Sequence, residues 1–521
     1  MRFRWTLPIL LFVALVVFLN ADLFRQPIFE YGDEAANSLQ ILRAKSFSER
    51  LGNFSRWGFH HPGPAYFYMQ AAGEWFFYDL LRAVPRPINA QILAAIFLNF
   101  ALILAALAIF RRHFPARSFP YLAALALAVC IHTISPTIPY GALVSVWPPA
   151  LLLWNFLLFL SAAAAVAAGR YRLLPVLAVS GALLAQGHAA QAPFVLAISA
   201  VSLAIALRRL ARAEGLAAAW RHHRRLVAVS AALVAAFSIP ILLDACLSRP
   251  NNIDAILSYV IASRGHFNTP AQALKFCAGF LLFTPSLETF IAQPASAQLA
   301  AAARNTSVIG YGTLCAVLAL AALAWRRPAS RTFPVMVVII SGAAAAVFLA
   351  WAFKITGDFF TFNGLFIYSL HVLLLWVLCG LLSERIPVRW QPPAAAAAAV
   401  LLLAFVWWTA PAWKNTYGGA GEIRAIVPRL SRLPAGEVRL QFEPSRWPIA
   451  TGVANNLARQ GGCFCVSPEW AFMFGRERVC PASHALPRLV IGSPAGACAA
   501  PCLSLLEEPG LSARWLPPDT P

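Results

Sequence analysis

Two neighbouring residues early in the chain, Asp33 and Glu34, have the side chains to move a proton at a reacting centre. An ionised carboxylate can act as a general base, and a pair of them can hold a divalent cation. A third use is structural, because acidic residues favour the positive end of a following helix, here expected over 35–45. The run His60-His61-Pro62-Gly63-Pro64-Ala65-Tyr66-Phe67-Tyr68 comes next, after an amphipathic stretch. Its imidazoles can bind phosphate, orient a ligand or join a metal site, or can simply pack as an interfacial His-Pro turn. The acidic pair stands about ten residues beyond a hydrophobic segment, and carboxylates beside a membrane are costly without a role or a partner.

The elements that position these residues follow from composition. The 521 residues are 60% hydrophobic and 12% charged. A soluble chain carries about twice that charge. Apolar runs of about 17 to 22 residues recur, each long enough to cross a bilayer. The chain is therefore expected to be an α-helical polytopic membrane protein. The net charge of +20 does not imply nucleic acid here, because the basic residues cluster between apolar runs, as cytoplasmic loops do. Only Lys45, Lys275, Lys354 and Lys414 are lysines, an Arg bias that fits a GC-rich bacterial genome.

The basic clusters fall at alternate ends of the apolar runs. Placing all of them in the cytoplasm gives eleven spans: 6–22, 89–110, 119–135, 148–168, 173–187, 190–207, 226–245, 308–325, 334–353, 364–382 and 394–410. The first reads as an uncleaved helix rather than a signal peptide, with the N-terminus cytoplasmic. The membrane domain is 1–410, with external loops 23–88 and 246–307, and the tail 411–521 is a separate extracytoplasmic α/β domain. In that tail 437–442 alternates like a strand, 447–460 reads as a helix ended by Gly461-Gly462, and 463–466 and 489–491 read as further strands. Cys463, Cys465, Cys480, Cys498 and Cys502 are expected to form one or two disulfides, with a metal site as the alternative. Cys463 and Cys465 would share a strand face and are not expected to pair with each other.

These features together resemble the GT-C superfamily of membrane glycosyltransferases. That superfamily includes family 39-like protein O-mannosyltransferases, the lipid A aminoarabinose transferase and the bacterial arabinosyl- and mannosyltransferases. Many members carry Asp-Glu or Asp-Asp in the first external loop and a Pro-Pro-Leu or His-Pro-Pro-Leu element later in it. Asp33-Glu34 and His61-Pro62-Gly63-Pro64 match those positions, with Gly63 departing from the Pro-Pro form. The resemblance implies a polyprenyl-phosphate sugar donor, transfer to a glycan, lipid or protein acceptor, and a site on the extracytoplasmic face of the bacterial inner membrane.

Such a transfer needs little acid–base equipment. A phosphate leaves without a general acid, provided positive charge meets it, so one carboxylate suffices to take the acceptor proton. Asp33 is the candidate base and Glu34 its alternate, and both are the candidate ligands if a divalent metal ion takes part. His60 and His61 are candidate donor-binding residues. Lys354, at the exit of the ninth span, is the first candidate cation for phosphate, with Arg56, Arg264 and Lys275 as others. His188, between the fifth and sixth spans, is a candidate lining residue, while His371 within the tenth is expected to be structural or cavity-lining. Tyr66, Phe67, Tyr68, Trp75, Phe76 and Phe77 read as an interfacial aromatic belt, with a sugar platform as the alternative. Two other classes compete. A transporter or flippase would keep ionisable groups inside its spans, where this chain has almost none. An O-antigen polymerase or ligase-type protein would keep its signature in a late external loop.

Overall fold

The computed structural model describes residues 4–263, 268–283, 310, 313, 332–418, 420–481, 486–493 and 502–518. Ten expected spans coincide with helices: Leu7–Leu19, Pro87–Arg111, Phe119–Ile134, Pro148–Ala167, Leu174–Gly187, Gln191–Ala213, Leu216–Leu247, Thr332–Ala352, Ser369–Arg385 and Gln391–Trp408. The eleventh, 308–325, lies outside the described residues. Among the described residues, eight helices are long and apolar enough to cross a membrane. Leu7–Leu19 and Leu174–Gly187 are shorter, at 13 and 14 residues. At about 1.5 Å per residue each covers about 20 Å, less than a hydrocarbon core of about 30 Å. The hairpin expected near 186–188 turns at His188, where the backbone becomes extended (φ −158°) and Gln191 starts the next helix.

Packing divides the chain into two units. The first comprises Met1–Ala21, Ala95–Leu242 and Val260–Asn415. Its centre is Pro148–Ala167, every residue of which is buried. The run Ser161-Ala162-Ala163-Ala164-Ala165 explains how: small side chains let neighbouring helices approach, and Ser202 Oγ donates to the Ala163 carbonyl at 2.7 Å. Leu216–Leu247 has the opposite character, apolar but largely exposed, as a helix facing lipid should be.

The second unit comprises Asp22–Ala94, Leu243–Tyr259 and Thr416–Pro521. It contains a five-stranded sheet in the order β2-β1-β3-β5-β4, where β1 is Glu437–Phe442, β2 Cys463–Cys465, β3 Arg488–Gly492, β4 Leu503–Glu508 and β5 Leu511–Leu516. β1 pairs in parallel with both β2 and β3, while β5 runs antiparallel to β3 and β4. The helix Trp447–Arg459 makes the crossover from β1 to β2. One apolar core joins the sheet (Val438, Leu440, Leu489, Ile491), this helix (Ala450, Val453, Ala454) and the inner face of the helix Gly32–Lys45 (Ala36, Leu39). Cys465 is bonded to Cys480, Cys502 is also oxidised, and Cys463 is exposed and reduced. Cys498 lies outside the described residues.

Candidate active site

Gly32 turns the chain into the helix Gly32–Lys45 with φ +61°, a left-handed conformation that glycine takes without strain. A Cβ there would also meet the Trp447 indole at 3.6 Å. Tyr31 occupies the N-cap in extended conformation and makes no side-chain cap bond, so Asp33 and Glu34 sit inside the first turn, where the helix dipole favours them. The helix end is fixed from outside by Thr451, whose Oγ1 donates to the Gly32 carbonyl at 3.1 Å. Gly452 completes the approach, since a Cβ there would stand 2.8 Å from the Glu30 carbonyl oxygen.

Asp33 is one-third exposed (33%), whereas Glu34 is buried. The partner of Asp33 is Arg56, with guanidinium nitrogen and carboxylate oxygen 3.8 Å apart, an ion-pair distance beyond hydrogen-bond reach. Arg56 is 62% exposed, and its guanidinium lies over the Trp447 ring at 4.7 Å. It sits at the tip of a tight loop. Gly52 N–H donates to the His61 carbonyl (3.0 Å), His61 N–H to the Asn53 carbonyl (2.8 Å) and Ser55 N–H to the Phe59 carbonyl (2.9 Å). Gly58 (φ +80°) makes the turn. A side chain at Gly52 would collide with the His61 carbonyl oxygen at 2.6 Å.

His60 is anchored rather than presented. Asn252 grips its backbone on both sides, accepting from His60 N–H at 2.7 Å and donating to its carbonyl at 2.8 Å. The ring Nδ1 donates to the Gly52 carbonyl at 3.1 Å, which leaves Nε2 as an acceptor. Burial pushes the imidazole pKa down to about 4, so the ring is neutral near pH 7. A neutral acceptor suits a hydroxyl better than a phosphate. His61 is buried and edge-on to Phe59. The expected aromatic belt divides: Tyr66 and Phe67 are buried, and Trp75 and Phe76 are exposed.

The structure adds a charge network that sequence reasoning missed. Glu74 is fully buried (0%). It accepts from Arg459 on both oxygens (2.9 and 3.0 Å), from Lys45 at 2.9 Å and from Gln91 at 2.9 Å. Arg459 also donates to Ser38 Oγ at 2.9 Å on the Asp33 helix. Burial alone would raise the Glu74 pKa, but the Arg459 charge and these donors hold it below the ordinary carboxylate range. Lys45 also pairs with Asp79 at 2.6 Å. The only hint in the sequence was that Lys45 is one of four lysines. The Glu74–Arg459 contact joins residues 385 positions apart and leaves no local signal.

Asp33, Glu34, Arg56, His60 and His61 thus belong to one unit, and Lys354 and His188 to the other. Lys354 is exposed just past the helix Thr332–Ala352. His188 accepts from Ala190 N–H at 3.2 Å through Nδ1. Lys275 is buried within Pro270–Leu281, and Arg264 lies outside the described residues. His371 is buried, with Nε2 donating to the Phe280 carbonyl at 2.9 Å, a structural arrangement. Among the described residues no three or more His, Cys, Asp or Glu side chains are grouped to hold a metal ion.

No protein-family model matches the chain, and no curated protein matches it significantly. Its fold combines a polytopic helical part with a small C-terminal sheet domain. It is similar to the crystal structure of ArnT from Cupriavidus metallidurans bound to undecaprenyl phosphate, with TM-score 0.60 and 14% identity over 98% of each chain. The apo form of that protein gives TM-score 0.56 and 14% identity over 97% of each chain.

Proposed function

We propose that the chain is a glycosyltransferase that moves a sugar from a polyprenyl-phosphate donor to an acceptor on the extracytoplasmic face of the inner membrane. The observation that carries this reading is the fold shared along nearly the full length with a protein solved with undecaprenyl phosphate bound. The partly exposed Asp33, held at a helix N-terminus beside Arg56, adds the chemistry. Asp33 takes the proton from the acceptor hydroxyl, and the acceptor oxygen attacks the anomeric carbon. The bond from that carbon to the phosphate oxygen breaks, and polyprenyl phosphate leaves with the electron pair. Lys354 is the proposed cation for that phosphate. In this reading the N-terminus is cytoplasmic and the tail periplasmic. The sugar, hexose or pentose, and the acceptor class, glycan, lipid or protein, are the finer part of the proposal. If a divalent ion takes part, Asp33 and Glu34 are its proposed ligands.

The test separates binding from transfer. Purified protein in detergent should be stabilised against heat by undecaprenyl phosphate and not by undecaprenol, which lacks the charge. Asp33→Asn should keep that binding and lose transfer of labelled sugar by about 100-fold or more. Equal stabilisation by the phosphate and the alcohol would end the reading. Loss of phosphate binding in Asp33→Asn would move the carboxylate from base to metal ligand.

A further inference from the structure

We propose that a cleft beside Asp33 is a saccharide site that holds a neutral pyranose ring of the acceptor, with Trp470 and Trp447 as its aromatic walls. The assignment to the acceptor rests on the reading of Asp33 as the acceptor's base. The cleft has a volume of about 420 Å³ and lies within the second unit. Trp447, Trp470 and Phe472 line it, together with Arg56, Glu469 and Met473. That volume falls within the span of about 300–1,000 Å³ typical of small-molecule sites, enough for a sugar ring and too little for a folded partner.

The lining selects the ligand. Trp470 is half-buried and held rigid, with Phe442 at 4.6 Å and Phe472 at 6.1 Å between ring centroids. Trp447 is half-buried too, fixed between Arg56 and Gly32. Trp470, part-exposed, can offer a π face to the axial C–H bonds of a pyranose, while Trp447, whose ring lies under the Arg56 guanidinium, forms the other wall. Arg56 and Glu469 supply the other half of sugar recognition, a guanidinium that donates and a carboxylate that accepts at ring hydroxyls. A polyprenyl chain fits poorly, because a cleft of about 420 Å³ has room for a ring and not for a long hydrocarbon, even though Pro444, Phe472 and Met473 are apolar. A phosphate fits poorly too, because Arg56, the one cation among the described residues that line the cleft, already faces Asp33 at 3.8 Å and shares the cleft with Glu469. What remains is a neutral polyol with one apolar face. Because Arg56 links the cleft to Asp33, a ring held there brings a hydroxyl towards the base, which is the position of an acceptor rather than a donor.

The experiment is saturation-transfer NMR on the full chain in lipid nanodiscs, with the methyl glycosides of glucose, mannose, galactose and N-acetylglucosamine as probes. At least one probe should receive saturation on its ring C–H protons. Trp470→Ala should weaken that binding by about tenfold, the scale of one lost aromatic contact, and Trp470→Phe should keep most of it. Undecaprenyl phosphate should bind all three proteins alike, which shows that they are folded. A wild type that binds undecaprenyl phosphate but no glycoside, or Trp470→Ala that binds glycosides as well as the wild type, overturns the site and leaves the proposed function intact. Glycoside binding without any undecaprenyl phosphate binding does the reverse, removing the transferase reading and the acceptor assignment together. Undecaprenyl-phosphoglucose, with its occupancy verified by native mass spectrometry, should leave the glycoside signal in place. Displacement would give the cleft to the donor's sugar and overturn the acceptor assignment.

Discussion

At the residue scale, His60 shows how an ionisable side chain can sit next to a candidate site without lending it charge. Its Nδ1–H is committed to the Gly52 carbonyl, and burial lowers its pKa from 6.5 to about 4. Between those two values the unfolded chain binds a proton that the folded chain refuses, so stability rises with pH across that window and is lost as pH falls through it. The thermal midpoint of the wild type should therefore drop between pH 6.5 and pH 4. His60→Asn keeps a donor for Gly52 and cannot titrate, so its midpoint should depend less steeply on pH over that range. An unchanged slope in the variant would assign the pH dependence to other groups. The types of the site residues were legible from the start, because a carboxylate pair and a His-Pro run stand out against apolar sequence. Their states were not, because protonation and donor direction depend on Gly52 and Asn252, which the folded loop supplies.

At the element scale, the helix Gly32–Lys45 carries Asp33 but does not place it alone. Thr451 holds its first turn, and Arg459 reaches its middle at Ser38 while pairing with Glu74. Removing one partner of a buried ion pair leaves a charge without water or counterion, at a cost of about 3 kcal/mol or more. Arg459→Met should destabilise the protein by about that amount, read from thermal or denaturant unfolding in detergent. Adding Glu74→Gln should recover a substantial part, because the stranded charge is then gone. If Arg459→Met alone unfolds like the wild type, Lys45 and Gln91 satisfy Glu74 without it. Helix and strand positions with a regular pattern were readable: β1, β3 and Trp447–Arg459 lie where alternation and helical spacing put them. β4 and β5 were missed. A register shift between Ser504 and Leu506 puts adjacent Leu505 and Leu506 both inside, which destroys the alternation that marks a strand.

At the scale of the whole molecule, the chain divides into a helical unit and a unit built from three separate stretches of sequence, one of which carries the cysteines of the tail. Oxidised cysteines belong to an oxidising compartment. Alkylation of the denatured, unreduced protein should therefore label Cys463 and spare Cys465, Cys480 and Cys502. Full labelling of all four would remove the disulfides and, with them, the argument for a periplasmic tail. A periplasmic reporter fused after the last residue should be active, because the opposite placement would put the basic clusters between the spans on the wrong side of the membrane.

The sequence by itself determined the class of the protein and most of its membrane helices. Run length, apolar content and the siting of arginines are local quantities, and each is decided over about twenty residues. It also marked Asp33, Glu34 and the His-Pro run as the chemically capable residues. Only the tertiary structure decided what surrounds them. The first external stretch and the tail share one core, so Trp447 meets Arg56 and Thr451 meets the Gly32 carbonyl across a separation of 419 residues. Contacts at that separation follow from how apolar faces are buried together, and no periodicity or composition within either segment records them.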